Sequence, residues 1–226
     1  EQLDMNWKKV NDAGVDFVNA FMPGAMQQLE EAQAQYDSAY ADYLADCGFD
    51  IFLAANNHIF DKGARGAERT LEKFRSLKES HNVLFTGLAG NEEELALTTP
   101  LIVECKGITI ALINFTYGTN QACGKAWPKT NYESEKTKLK AAFETAQKQN
   151  ADFTIALPHW GTEYVLQHSK AQENTARWLV ECGADAIGEN RTSELVRRYE
   201  LLSAAGFSPK MHQIGTLQSN KARLAA

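Results

Sequence analysis

The sequence predicts an α/β protein in which strands and helices are stacked in layers. Two short apolar runs, Ile51 to Ala55 and Phe153 to Leu157, each stop abruptly at polar residues, the signature of buried strands that run out into loops. Segments with helical spacing alternate with such runs along the chain, which favours layered sheets and helices over an all-α or all-β fold. With 226 residues and 44% hydrophobic content, the chain can bury a large core as one domain, or as one domain with an appendage.

In chain order, Glu1 to Phe21 offers one candidate strand at Val15, Phe17 and Val18 before Pro23-Gly24 interrupts it. Ala25 to Tyr43 places Met26, Leu29, Ala32, Tyr36, Tyr40 and Tyr43 at helical spacing among polar residues. Cys47-Gly48-Phe49-Asp50 turns the chain into the Ile51 strand. After Gly63, the recurrence of Ala67, Leu71, Phe74 and Leu77 predicts a helix ending near His81-Asn82. Val83 to Thr86 reads as a short strand and Asn91 to Glu94 as an acidic turn. Leu101 to Glu104 and Ile108 to Phe115 form a hairpin about Lys106-Gly107.

A second helix is expected over Glu133 to Gln149, ahead of the Phe153 strand. Ser169 and Gln172 make a capping box for a helix whose apolar face holds Ala171, Trp178, Leu179 and Cys182. Gly183 to Gly188 is a short strand and Thr192 to Ala205 a helix. Met211 to Ala226 supplies a strand, a glycine and a cationic helix.

The net charge of -6 and pI near 5.4 exclude a general nucleic-acid-binding surface. The longest apolar run, Ile108 to Phe115, is far short of the roughly 20 residues that cross a bilayer. The acidic start does not read as a signal peptide, and the lack of an initiator Met reads as a fragment. Cys47, Cys105, Cys123 and Cys182 are scattered without C-x-x-C spacing, and Cys47, Cys105 and Cys182 are expected as reduced core residues.

Both apolar runs deliver a histidine at their exit: Asn56-Asn57-His58 after the first, Pro158-His159 after the second. An Asn carboxamide oxygen and an imidazole suit a divalent first-row metal, and a neighbouring imidazole can donate to a phosphoryl oxygen. Asp61 stands where it can orient His58, and Gly63 permits a tight turn. A second reading stands beside this one. In it, Asn56 and Asn57 satisfy strand-end backbone groups, His58 caps the next helix, and His159 packs on Trp160. Glu163 and Tyr164 fit an exposed ion pair and a core aromatic equally well, Trp127 a loop anchor, and His81 and His168 solvated helix ends.

The string A-N-N-H-I-F-D-K-G at Ala55 to Gly63 resembles the N-N-H-x-x-D-x-G motif of the bacterial capsule-synthesis CapA family, associated with poly-gamma-glutamate capsules. The resemblance continues through N-F-T-Y-G-T-N at Asn114 to Asn120, H-W-G-T-E-Y at His159 to Tyr164 and G-A-D-A-I-G at Gly183 to Gly188. That family is similar to the calcineurin-like metallophosphoesterases. The resemblance therefore implies a four-layer sandwich of mixed sheets flanked by helices, with a metal centre between the sheets. It implies Asn57 and His159 as metal ligands, and His58 as the phosphate-facing residue with Asp61 and Glu163 in support. Ala25 stands where the family's early aspartate belongs, no N-L-E segment precedes Asn56, and Glu189-Asn190-Arg191 replaces H-P-H. These departures imply a fold incomplete at both ends and one divalent ion of manganese or zinc type rather than two.

The function implied is capsule or poly-gamma-glutamate biosynthesis, either as a metal-dependent phosphoester hydrolase or as a non-catalytic polymer-binding component of capsule export. The implied partners are an anionic polymer or a small phosphoester and the capsule-export machinery, at the cell envelope. From Gly188, G-E-N-R-T-S-E-L and H-Q-I-G-T-L-Q-S-N-K at His212 to Lys221 resemble YggS-type pyridoxal-phosphate-binding proteins, which are TIM barrels. The segment that carries that family's Schiff-base lysine is absent, so pyridoxal phosphate is not assigned to Lys221. The expected division is a CapA-like domain over 1–187, weakly matched over 1–37, and a tail over 188–226, joined as a chimera.

Overall fold

Alternating apolar residues in the longest apolar run build a central strand of the five-stranded sheet. Strand β5 (Ile108–Thr116) pairs antiparallel with β4 (Leu101–Cys105) through a turn at Lys106 and Gly107. Both turn residues have positive φ, 52° and 77°, which suits the right-handed twist of a tight hairpin. On its other side β5 runs parallel to β7 (Phe153–His159), and β8 (Ala186–Glu189) and β9 (Lys210–Gln213) continue the sheet in the order β4-β5-β7-β8-β9. The computed structural model describes residues 39–189 apart from 163, 164, 166 and 167, together with 203–204, 206 and 210–213. The strand expected at Val15 to Val18, the start of the Ala25 helix and nearly all of the Thr192 helix lie outside them.

The period-two alternation of β5 gives the sheet two apolar faces. Ile113 and Phe115 pack with Leu139, Ala142 and Phe143 of α4 (Lys136–Lys148) and with Ala176 and Leu179 of α5 (Lys170–Glu181). Leu112, Ile110, Leu157 and Ile155 face the other way, onto Ile51 and Leu84. Those two residues belong to a parallel pair, β1 (Ile51–Leu53) and β2 (Leu84–Thr86). The far face of this pair stacks Phe52 and Phe85 on Phe74, at ring-centroid distances of 5.5 and 5.3 Å. Phe74 lies on α2 (Gly63–His81), whose buried face is Ala64, Ala67, Leu71, Phe74 and Leu77. The layers are therefore helix, sheet, sheet, helix, the four-layer α/β sandwich that the resemblance implies, with a mixed five-stranded sheet facing a parallel pair.

Backbone contacts cluster into two units, Glu1–Phe49 and Asp50–Ala226. In the first, residues 39–46 are helical and form the described part of α1. In the second, the 187/188 boundary between the two resemblances falls inside β8, and β9 returns beside that strand in parallel register.

Local capping follows the sequence. Helix α2 ends with Asn82 in the left-handed conformation, φ 57°. Helix α5 begins with the reciprocal Ser169 and Gln172 bonds of a capping box. The acidic turn is instead a short helix, α3 (Glu92–Thr98), because Asn91 accepts the Glu94 N–H at 2.8 Å as its N-cap and three glutamates favour its positive end. Strands β3 (Leu88–Ala89) and β6 (Lys129–Thr130) form a small antiparallel pair too short to show in the sequence pattern.

The Cys47 and Cys105 expectation is corrected: both are exposed thiols, one in the turn after α1 and one at the hairpin end of β4. His168 is corrected too. Its side chain is 3% exposed, with Nε2 2.8 Å from Glu173 Oε1.

Glu94 ties α3 to α2. Its carboxylate accepts two bonds from Arg75, at 3.0 and 2.8 Å, and the Gly90 N–H at 2.6 Å. Burial acts to raise the Glu94 pKa, but the Arg75 and Gly90 bonds and the Arg75 charge together hold it below the ordinary 4.5. Its contribution to stability is then full above about pH 4.5 and is lost as pH falls through the lower folded value. Glu94→Gln is expected to destabilise the fold by about 1–2 kcal/mol at pH 7 and by less at pH 3. Urea unfolding at the two pH values checks this, and an equal loss at both would contradict it.

Candidate functional site

The ends of β1 and β7 come from different sheets, and one buried side chain locks them together. Asn114, in the middle of β5 and 2% exposed, accepts the Ala55 N–H on Oδ1 at 2.8 Å and donates from Nδ2 to the Leu157 carbonyl at 2.8 Å. Asn131 donates in turn to the Asn114 carbonyl at 2.9 Å. A polar residue inside the run Ile110-Ala111-Leu112-Ile113-Asn114-Phe115 was the available sequence signal, since a buried carboxamide needs partners.

Past this lock, Asn56 and Asn57 part company. Asn56 accepts the His58 N–H at 2.8 Å and donates to the Ala54 carbonyl at 3.2 Å, which is the strand-end role the second reading gave to both. Asn57 is 5% exposed and crosses between the sheets: its Oδ1 lies 2.9 Å from His159 Nε2. His58 does not cap α2, whose N-cap is Lys62 without a side-chain bond. Instead its Nδ1 lies 2.7 Å from Asp61 Oδ2, both side chains being well exposed.

A third segment closes the cluster. After β5 the chain runs through Tyr117 to Asn120, and the Tyr117 ring stacks on the His159 imidazole with centroids 6.3 Å apart. Asn120 Oδ1 accepts from Asn57 Nδ2 at 3.3 Å, and its Nδ2 stands 3.3 Å from His58 Nδ1. That nitrogen cannot donate to Asp61 and accept from Asn120 together. The shorter, charge-assisted contact to Asp61 takes the Nδ1 proton, so the Asn120 approach is not a hydrogen bond and His58 Nε2 is left to meet a ligand.

Burial, followed by the nearby His58 charge, lowers the His159 pKa below the ordinary 6.5. A neutral imidazole is the form that ligates metals. Because a carboxamide oxygen only accepts, the 2.9 Å contact has His159 Nε2–H donating to Asn57 Oδ1, and a cation held by the two atoms would take the place of that proton. Asn57 Oδ1 and His159 Nε2 are the two atoms that would hold a divalent cation there. Glu163 lies outside the described residues, and among those described no three His, Cys, Asp or Glu gather into a metal-holding group.

A profile of the family described as "Bacterial capsule synthesis protein PGA_cap" matches residues 11–191. The chain belongs to that family. It is 27% identical over 163 residues to the PGA biosynthesis protein CapA of Bacillus subtilis (strain 168), a match covering 71% of this chain and 41% of that relative. It is also 27% identical over 146 residues to the capsule biosynthesis protein CapA of Bacillus anthracis, covering 63% of this chain and 34% of that protein. The chain thus spans well under half of each of these capsule proteins. No helix among the described residues is long and apolar enough to cross a membrane.

Proposed function

We propose that this PGA_cap chain binds one divalent cation between Asn57 and His159 and hydrolyses a phosphoester in capsule or poly-gamma-glutamate biosynthesis. The observation that carries the reading is the 2.9 Å approach of Asn57 Oδ1 and His159 Nε2 from two different sheets, beside the His58 and Asp61 pair. When bound, the cation supplies Lewis acidity toward a phosphoryl oxygen and toward the attacking water.

The residues of the chain do the rest. Asp61 holds His58 Nδ1, so that His58 Nε2 faces the ester; Tyr117 covers one face of His159. Hydrolysis forms a P–O bond to water and breaks the P–O bond to the alcohol. His58, carrying a proton on Nε2 when the ester binds, would give it to the departing oxygen, and the proton lost by the attacking water would restore it. A carboxamide oxygen and an imidazole nitrogen would suit a divalent cation of manganese or zinc type.

A second reading, a non-catalytic component that binds an anionic polymer in capsule export, is favoured by one observation. Among the described residues no three His, Cys, Asp or Glu gather into a metal-holding group. Manganese-dependent release of nitrophenol from p-nitrophenyl phosphate or its diester separates the two. The hydrolase reading expects turnover that falls at least about 100-fold in His58→Ala. Turnover indifferent to that change would contradict it, and saturable poly-gamma-glutamate binding without turnover would transfer the case to the second reading.

A further inference from the structure

We infer that the loop Tyr117 to Asn120 is the orienting element of the site, with Asn120 as a positioning residue that fixes which end of the Asn57 carboxamide meets a cation. The inference rests on the cation reading above and assigns to this loop a role that the two strand exits do not explain.

A carboxamide is nearly symmetric in shape, yet only its oxygen ligates a hard or borderline cation; its NH2 end would repel one. Something must therefore hold Asn57 with Oδ1 toward His159. Asn120 does this with its side chain, while its main chain holds the two segments together. Its backbone N–H donates to the Asn57 carbonyl at 2.8 Å, and its side-chain Oδ1 accepts from Asn57 Nδ2 at 3.3 Å. With Nδ2 engaged there, Oδ1 is the end left 2.9 Å from His159 Nε2.

The same loop holds the second donor. The Tyr117 N–H donates to the His159 carbonyl at 2.9 Å while its ring stacks on the imidazole at an interplanar angle of 14°. One residue at each end of the loop thus grips one donor residue. The loop is itself braced: Thr116 Oγ1 donates to the Gly118 carbonyl at 2.8 Å, and the Thr119 hydroxyl lies 3.2 Å from the Tyr132 hydroxyl. Asn120 is exposed, so its replacement removes an orienting bond without opening a cavity in the core.

Partners that orient ligands typically contribute 10- to 100-fold in metal affinity. Calorimetric titration of manganese(II) into the whole chain should show Asn120→Ala binding about 10- to 100-fold more weakly than the parent, with unchanged thermal unfolding in the absence of metal. NMR of the metal-free protein gives an independent readout. The Asn57 side-chain NH2 protons should exchange measurably more slowly in the parent than in Asn120→Ala, and Asn120→Asp, which keeps the acceptor oxygen, should restore the slow exchange.

If the parent binds no manganese but the exchange pattern holds, the orienting role stands and the cation reading falls. If Asn120→Ala leaves both manganese affinity and Asn57 exchange unchanged, the inference is overturned whatever the parent binds.

Discussion

Among the described glycines, Gly87→Ala is expected to be the most destabilising replacement, at roughly 3 kcal/mol or more. Gly87 sits just after β2 with φ +90°, and a Cβ there would lie 2.1 Å from Asn114 Oδ1, 2.5 Å from the Ala55 nitrogen and 2.8 Å from the Ala55 Cβ. Two of those atoms are the partners of one hydrogen bond in the lock between the sheets. The strained backbone contributes about 1–3 kcal/mol. Displacing Asn114 leaves the Ala55 N–H and the Leu157 carbonyl buried without partners, at about 1–3 kcal/mol each.

Because natural domains hold only about 5–15 kcal/mol in total, urea unfolding should show the midpoint of Gly87→Ala far below that of the parent. Asn114→Leu should follow it closely for the same reason. A loss under about 1 kcal/mol in Gly87→Ala would mean that the lock does not carry the junction of the two sheets.

His159→Ala is expected to have the largest effect on ligand chemistry, removing divalent-cation binding by at least about 100-fold, since it takes away one of two donors. Asn57→Ala should match it, whereas Asn57→Asp should bind at least as tightly, because a carboxylate keeps the oxygen and adds charge. His159 also sets the pH dependence. Its pKa is lowered by burial and by His58, so in the metal-free protein the unfolded state takes up its proton first as pH falls. The stability it contributes is present above the ordinary 6.5 and is lost as pH falls through the lowered folded value. Cation binding, which needs the neutral ring, should likewise persist to somewhat lower pH than an ordinary histidine allows. Calorimetry at pH 7.5 and 6.0 checks both points; equal affinity in parent and His159→Ala would remove His159 from the site.

The parts of this account that depend on periodicity were readable from the sequence. Leu71, Phe74 and Leu77 announce α2, the alternation around Lys106-Gly107 announces the hairpin, and Ser169 with Gln172 announces the start of α5. The two strand exits were readable as well, because an apolar run that stops at Asn-Asn-His or Pro-His must leave the core there. What periodicity and composition could not give was the division of labour within them; only the family resemblance singled out Asn57. Nothing local distinguishes Asn56, which serves its own turn, from Asn57, which reaches His159 a hundred residues away. That difference is set by which neighbour faces the second sheet.

Asn114 and Asn120 went unassigned for the same reason: their partners are long-range, at Ala55, Leu157 and Asn57. Short elements with no period, such as α3 and the β3 and β6 pair, are decided by a cap and by sheet contacts rather than by composition. His168 was read as solvated from its polar neighbours, yet Glu173 one turn into α5 gives it a partner and lets it be buried.

The central claim is that Asn57 Oδ1 and His159 Nε2 share one divalent cation. Anomalous diffraction from crystals of the chain grown with manganese(II) tests it most directly. The account predicts a single strong peak within about 2.3 Å of both atoms, absent in crystals of His159→Ala. A peak elsewhere, or none while Asn57 and His159 remain hydrogen-bonded to each other at saturating manganese, would contradict it.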